Sequence, residues 1–458
     1  MQQSETALQR ALEARLASVL GGRVAVSDVE PVSMGASKSI WRFRATPSSG
    51  APLDLVLRAD PVENQKPASM AIEAAVLRAA YDQQVPVPEV LDAGDGSEGL
   101  GTPYVIMAAV VGETLPQRIL RDPETTKRAA DLAHELGAAI GGIHRISPGI
   151  PGLERIDDVA DFEKQYRAGP PSPAMELAWR WLHANRPTAH PSTVVHGDFR
   201  HGNIIVADGR LAAVLDWELC HVGDPLEDLG WVTTKAWRFG APRPVGGFGE
   251  VDDLLDGYAS VAGWRPAIKD VLWWSIYGSV RWGIMCRRQA ARHLDGDEQS
   301  LELALIGRRF AENEHDVLVG LGLSDPLPAA AGAGSPEPKP TMFGAPTVDD
   351  LLDAAIHQLS VSREYRDRLL ISALNVVRRE QQLTDRLHDR LDESLAKAGV
   401  GSETELAAAI RSGVQITGAV VEAVRTGVQS RLAVWNPKYL GYPAPDDGFR
   451  VGREEAFS

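Results

Sequence analysis

Residues 194–218 constrain this chain more than any other stretch. They read Val-Val-His-Gly-Asp-Phe-Arg-His-Gly-Asn-Ile-Ile-Val-Ala-Asp-Gly-Arg-Leu-Ala-Ala-Val-Leu-Asp-Trp-Glu. The pattern predicts a strand ending at His196, then a loop carrying Asp198 and Asn203. A short apolar strand (204–206), a turn at Asp208-Gly209 and a second strand (211–215) follow, with Asp216 at the end. An Asp-Gly pair between apolar runs is a strong signal for a two-residue hairpin. Such a hairpin returns the chain to its start, so Asn203 and Asp216 are expected close in space.

Two carboxylates and an amide gathered in this way suit phosphoryl transfer. That chemistry needs oxygen ligands for Mg²⁺ and a carboxylate to orient the attacking hydroxyl. Kinase-type sites place an Asp in a catalytic loop, an Asn five residues later and a metal-binding Asp after the next hairpin. Asp198, Asn203 and Asp216 stand at those spacings. Any one of them alone reads equally well as a cap or a turn residue; the ordered set with the hairpin between does not.

The residues His196-Gly197-Asp198-Phe199-Arg200-His201-Gly202-Asn203, Leu215-Asp216-Trp217-Glu218 and Gly223-Asp224-Pro225-Leu226-Glu227-Asp228-Leu229 resemble the aminoglycoside phosphotransferase-like kinases, the group that includes choline kinase-type enzymes. Gly197 stands where protein kinases carry Arg, and Trp217-Glu218 where they carry Phe-Gly, which favours the small-molecule kinases. The resemblance covers about residues 20–320. It implies an α+β bilobal kinase-like fold, with Asp198 as catalytic base, Asn203 and Asp216 as Mg²⁺ ligands, and ATP as phosphoryl donor.

Composition narrows the partners. Lys+Arg 47 against Asp+Glu 62 leaves a formal net charge of −15 over 458 residues, which argues against a nucleic-acid binder. The two cysteines, Cys220 and Cys286, make a disulfide framework improbable and fit a reducing cytoplasm. The N-terminus lacks a signal pattern and no apolar run is long enough to span a bilayer, so no membrane partner is expected.

In chain order, residues 4–20 read as an amphipathic helix with Leu8, Leu12, Leu16 and Leu20 on one face. A strand (24–32) runs into Ser33-Met34-Gly35-Ala36-Ser37-Lys38-Ser39 and a second strand (40–45). Small residues let backbone N–H groups approach phosphate oxygens, so Gly35, Ala36 and Ser37 are candidate nucleotide contacts. Residues 53–58 form the next strand. The resemblance places a phosphate-contacting cation on it, here Arg58, where many kinases carry Lys. The helix 68–83 carries Glu73, its expected partner. The apolar strand 102–111 leads to a hinge where the resemblance places the adenine edge, near Met107 and Ala109.

A long helix is expected over 125–146, with His144 as a core histidine at its end. The Pro- and Gly-punctuated residues 148–173 read as a surface excursion, and 176–185 as helix. Asp224 and Asp228 read as structural, and Glu218 as able to reach the outer surroundings of a metal. Trp274, Tyr277, Arg281, Met285, Arg288 and Arg292 fall near one face of a helix over 270–293. That face is either core with a solvated rim, or a cationic wall of the acceptor site built on Arg281 and Arg288. Lys235, Arg238 and Arg243 could join such a wall. It would suit phosphate or carboxylate and repel a polycationic aminoglycoside.

The expected domains are a small lobe at 1–110, a large lobe at 111–322, a Pro/Ala/Gly linker at 323–345 and an all-helical domain at 346–458. The last contains a capping-box pattern at Ser402-Glu403-Thr404-Glu405 and no catalytic pattern, and reads as a docking or homodimerising bundle. The function expected is transfer of the γ-phosphate of MgATP to a small-molecule hydroxyl. Relatives fused to acyl-CoA dehydrogenases suggest a hydroxyacyl-CoA, with sugars, amino alcohols and aminoglycosides as alternatives. A kinase-fold protein that binds nucleotide and acts through its helical domain is the other class. The intact Asp198, Asn203 and Asp216 weigh against it.

Overall fold

The computed structural model describes residues 2–32, 38–60, 69–327, 348–362, 364–443, 449–452 and 455–457. Gly35, Ala36 and Ser37, and most of the expected linker, lie outside these residues. The described chain forms two compact units. One comprises Met1–Asp157, Ala189–Thr233 and Phe248–Ala267; the other Asp158–Thr188, Thr234–Gly247 and Ile268–Ser458.

The first unit is built on an antiparallel five-stranded sheet of order β1-β2-β3-β5-β4. Its strands are β1 (Val24–Pro31), β2 (Ser39–Pro47), β3 (Leu53–Ala59), β4 (Val90–Gly94) and β5 (Tyr104–Ala108). Alternation sets one face inward: Val24, Val26, Phe43, Ala45, Leu55, Leu57, Tyr104 and Ile106 form the core with Leu12 and Leu16 of the helix Gln2–Leu20. Leu8 and Leu20 pack at its margin, as the leucine spacing predicts. Residues 90–94 become a strand by pairing with β5.

Two short strand pairs complete the site-bearing part. β6 (Thr193–Val195) pairs with β9 (His221–Gly223), and β7 (Ile204–Ala207) with β8 (Arg210–Val214). Asp208 and Gly209 connect β7 to β8 at φ +51° and +70°, the two positive φ values of a type I′ turn. The helix Ala129–His144 crosses Val251–Ala262 at close range. A Cβ at Gly137 would stand 1.9 Å from the carbonyl of Leu254, and one at Gly257 1.9 Å from that of His134. The single helix expected at 125–146 is two, because Pro123–Lys127, capped by Asp122, ends at Arg128 before Ala129–His144 begins.

The second unit is helical. Its elements include Pro173–Ala184, Ile268–Leu294, Phe310–Gly320, Val348–Ser360, Tyr365–Lys397 and Gly418–Trp435. Residues 148–173 are not a surface excursion throughout: Asp158–Ala168 is a helix whose Val159, Phe162 and Tyr166 are buried. The spacing of those three is helical, and the Pro and Gly residues flanking it obscure the pattern. Leu301–Arg308 and Phe310–Gly320 are separate helices, divided at Arg309. Among the described residues no helix is long and apolar enough to cross a membrane.

Helix Phe310–Gly320 is buried on every side, its polar residues included. Glu312 accepts from Arg309, Trp435 Nε1 and Asn436 Nδ2 at 3.0, 2.9 and 2.9 Å. Glu314 accepts from Ser172 Oγ at 2.6 Å and from Arg431 at 2.8 and 3.1 Å. Asp316 accepts from Lys235 Nζ at 2.8 Å and Tyr439 OH at 2.6 Å. Buried carboxylates are tolerated only when so paired. Trp435, Asn436 and Tyr439 of the run 435–440 thus pack against this helix.

Candidate active site

Asn203 is the pivot of the site. Its Nδ2 donates to Asp198 Oδ2 at 2.6 Å and to the Asp198 carbonyl at 3.0 Å. Its own carbonyl accepts the Leu215 N–H at 2.8 Å, which ties the end of the β7–β8 hairpin beside its start. Asp216 therefore follows directly, as the hairpin reading requires. Asp216 adopts φ +67°, a left-handed conformation that Asp tolerates better than most residues. Backbone strain of this kind concentrates at functional loops.

Asp198 is held from several directions. Trp231 Nε1 donates to Oδ1 at 2.7 Å, and Arg200 Nε reaches both oxygens at 3.1 and 3.2 Å. The loop beneath is equally fixed. Asp228 accepts the N–H groups of His196 and Gly197 at 2.8 and 2.9 Å and faces His144 Nε2 at 3.3 Å. Burial alone would raise the Asp228 carboxyl, but His144 and the backbone donors outweigh it and hold it below the usual range. His144 also meets Tyr258 OH at 3.1 Å, the satisfied core histidine that its sequence setting suggests. Burial pushes His196 below its ordinary value, so the ring is neutral. Its Nε2–H donates to the Leu215 carbonyl and its Nδ1 accepts the Asp198 N–H. One imidazole thus links the loops carrying Asp198 and Asp216. Gly197, at φ +76°, is required locally: a Cβ would stand 2.4 Å from the Leu219 carbonyl.

Arg58 extends from β3 to the same point. Its Nε lies 3.1 Å from Glu73 Oε1 and its Nη2 2.7 Å from Asp216 Oδ1, with Glu218 at 3.9 Å. The planar fork reaches two carboxylates at once, which a Lys could not do in the same geometry. Burial pushes the Glu73 carboxyl up to about 7, against the pull of Arg58 and Lys38. Lys38 itself forms a buried ion pair with Asp60. A carboxyl raised in the folded state holds a proton that the unfolded chain has released. Stability from this group is therefore present below pH 4.5 and lost as pH rises towards 7. Glu73→Gln is expected to flatten that window in denaturant-unfolding curves taken between pH 4.5 and 7.5. An unchanged slope would show that Glu73 does not titrate there.

Other expected site residues fall differently. Met107 is buried in β5, and the Ala109 N–H donates to the Asp54 carbonyl at 2.9 Å, so that amide is already engaged by β3. Asp224 accepts the Leu226 N–H at 2.9 Å at the start of helix Leu226–Thr233, a capping role. Arg281 is buried, with its Nε 3.0 Å from Asp158 Oδ2, and Lys235 and Arg238 are buried too. These three form no open cationic wall. Arg288 is exposed and donates to Gln165. Trp231, Arg200 and His196 were not legible as site residues, because their contacts to Asp198 and Leu215 arise only on folding.

Asp216 and the amide oxygen of Asn203 are hard oxygen donors, and such donors suit Mg²⁺, which keeps waters and takes few protein ligands. Among the described residues no group of three or more His, Cys, Asp or Glu could hold a metal by itself. The donor set therefore fits a metal shared with phosphate oxygens.

The antiparallel small-lobe sheet, the Arg58–Glu73 pair and the Asp198/Asn203/Asp216 loops define a kinase-like phosphotransferase class. The family model described as "Phosphotransferase enzyme family" matches residues 28–264, and the chain belongs to that family. Residues 357–439 match a domain of unknown function, DUF6285. The chain is 34% identical over 196 residues to the mouse protein acyl-CoA dehydrogenase family member 10, a match covering 39% of this chain and 18% of that one. The match to chicken acyl-CoA dehydrogenase family member 11 is 33% identical and covers 35% and 22%. The chain thus spans about a fifth of the length of these relatives. Viomycin phosphotransferase of Streptomyces vinaceus is 28% identical, with 52% of this chain and 80% of that one covered. A Ralstonia eutropha JMP134 structure described as an aminoglycoside phosphotransferase shares the fold, with a TM-score of 0.53 and 24% identity. The match covers 67% of this chain and 96% of that one.

Proposed function

We propose that this chain transfers the γ-phosphoryl group of MgATP to a hydroxyl of a small molecule. The observation that carries the reading is the chain of contacts from Asp198 through Asn203 to Leu215 and the adjoining Asp216, continued by the hydrogen bond of Arg58 to Asp216 and its ion pair with Glu73. Asp198 orients the acceptor hydroxyl and takes its proton. The hydroxyl oxygen then forms the bond to the γ-phosphorus while the bond to the β–γ bridging oxygen breaks, releasing ADP. Asn203 and Asp216 would hold Mg²⁺, which supplies charge neutralisation at the phosphates. Arg58, oriented by Glu73, would contact the nucleotide phosphates, and Gly35, Ala36 and Ser37 would cover them. Catalysis of this kind rests on positioning and electrostatics.

For the acceptor we propose a hydroxyacyl-CoA, supported by the partial likeness to acyl-CoA dehydrogenase family members 10 and 11. In this reading residues 1–110 form the small lobe, 111–322 the large lobe and 346–458 the helical domain. The test is MgATP consumption by the purified protein across hydroxyacyl-CoAs, sugars, amino alcohols and aminoglycosides. A strong signal with one class establishes the enzyme and its substrate together. A flat panel despite MgATP binding would turn the reading towards a nucleotide-binding module.

Trp231 offers a finer check. Trp231→Phe removes the indole donor to Asp198 while keeping an aromatic ring. A hydrogen bond to a charged group contributes about 1.5–3 kcal/mol. The expected result is a roughly 10- to 100-fold lower kcat with the KM for ATP unchanged. A KM effect alone would place Trp231 outside the positioning of Asp198.

A further inference from the structure

The second unit contains a cavity of about 370 Å³, within the size range of small-molecule sites. Its walls come from helices Ile268–Leu294, Phe310–Gly320, Tyr365–Lys397 and Gly418–Trp435. Part of the wall is apolar: Phe310, Leu387, Leu391 and Val434 line it. The charges on the wall are unequal. Arg308 is paired with Glu380, and Arg431 with Glu314 and Glu403. Arg287 differs. Its guanidinium lies 3.4 Å from the centroid of the Phe310 ring and donates to the Pro170 carbonyl at 2.6 Å. Among the described residues it has no carboxylate within ion-pair distance. Burial and the nearby Arg431 lower its proton affinity, with Glu314 opposing. A half-buried cation without a direct ion-pair partner gains when an anion joins it.

A second, independent feature is Ser430. It is 9% exposed, lines the cavity, and its Oγ has no hydrogen-bond partner among the described residues. Buried hydroxyls are ordinarily satisfied, and in a helix the i−4 carbonyl is usually at hand. A cation, an unsatisfied hydroxyl and an apolar wall in one cavity call for a ligand with one anionic end and an apolar body.

We infer that this cavity is a binding site for a small monocarboxylate, with its carboxylate at Arg287 and Ser430 and its hydrocarbon against Leu387, Leu391 and Val434. Arg431 has two carboxylate partners and Arg308 one, whereas Arg287 has none within ion-pair distance among the described residues, so a single carboxylate would complete it. At roughly 30 Å³ per non-hydrogen atom, the cavity holds on the order of ten such atoms. The site is independent of the phosphotransferase reading, and its test needs no nucleotide.

The full chain is titrated calorimetrically with octanoate, and with 1-octanol as the uncharged counterpart. Saturable one-to-one octanoate binding is expected, at least tenfold tighter than 1-octanol and at least tenfold weakened by Arg287→Gln. Absence of saturable binding overturns the site. Equal affinity for 1-octanol, or an unaltered affinity in a folded Arg287→Gln protein, overturns the anion reading. Should Arg287→Gln fail to fold, Leu387→Trp, which fills the cavity, decides: abolished binding supports the site and intact binding removes it.

Discussion

Asp198→Asn is expected to abolish the proposed phosphoryl transfer and to spare MgATP binding. General-base catalysis contributes about 10²- to 10⁴-fold, so turnover should fall into that range or below detection. The geometry makes this a clean substitution. An amide keeps one oxygen to accept from Trp231 Nε1 or Asn203 Nδ2, so the loop retains its frame. It cannot take the proton of a hydroxyl, and its NH₂ faces a donor where the carboxylate had accepted one. The nucleotide contacts assigned to Arg58 and Asp216 are untouched. Steady-state ATP consumption read beside equilibrium ATP binding separates the two effects. Full activity in this variant would mean that another group is the base. Loss of ATP binding along with turnover would mean that Asp198 holds the site together rather than serving the acceptor.

Deleting residues 348–458 is expected to unfold the second unit rather than release an independent module. The deletion strips Glu312 of Trp435 and Asn436, Glu314 of Arg431, Asp316 of Tyr439 and Glu176 of Arg411. All four carboxylates are buried. Each lost hydrogen bond to a carboxylate costs about 1.5–3 kcal/mol, against a total stability of about 5–15 kcal/mol for a typical domain. Several such losses exceed what a domain can absorb. Near-ultraviolet circular dichroism and limited proteolysis of residues 1–347 read the outcome. A native-like tryptophan signal with a cooperative melt would sink the prediction. Arg431→Ala is the graded version, leaving Glu314 only Ser172, and should lower Tm by several degrees without abolishing folding. A consequence follows for assigning the helical domain its role: a truncated protein without activity would report lost packing as readily as a lost function.

Much of the candidate site was legible before folding because it is written locally. Asp198, Asn203 and Asp216 lie within one stretch, and Asp208-Gly209 needs nothing beyond its own backbone preferences to turn at positive φ. The pairing of Arg58 with Glu73 was legible through family likeness alone; it joins a strand and a helix that no local rule connects. Residues 158–168 were misjudged because Pro and Gly at both ends resemble a loop, while burial of Phe162 and Tyr166 decides for helix.

The sequence by itself determined the hairpin, the order of the three polar residues on it, and the amphipathic helix that covers the small-lobe sheet. These follow from short-range dihedral preference and from the period of apolar residues. Only the tertiary structure decided which charges are open to a ligand. Arg281, Lys235 and Arg287 are all basic residues of one helical unit, and periodicity treats them alike. Folding sets Asp158 against the first and Asp316 against the second, and leaves the third over a phenyl ring, with no carboxylate within ion-pair distance among the described residues. A charge is available or not according to what long-range packing brings within about 4 Å of it, and that is a property of the folded chain, not of the order of its residues.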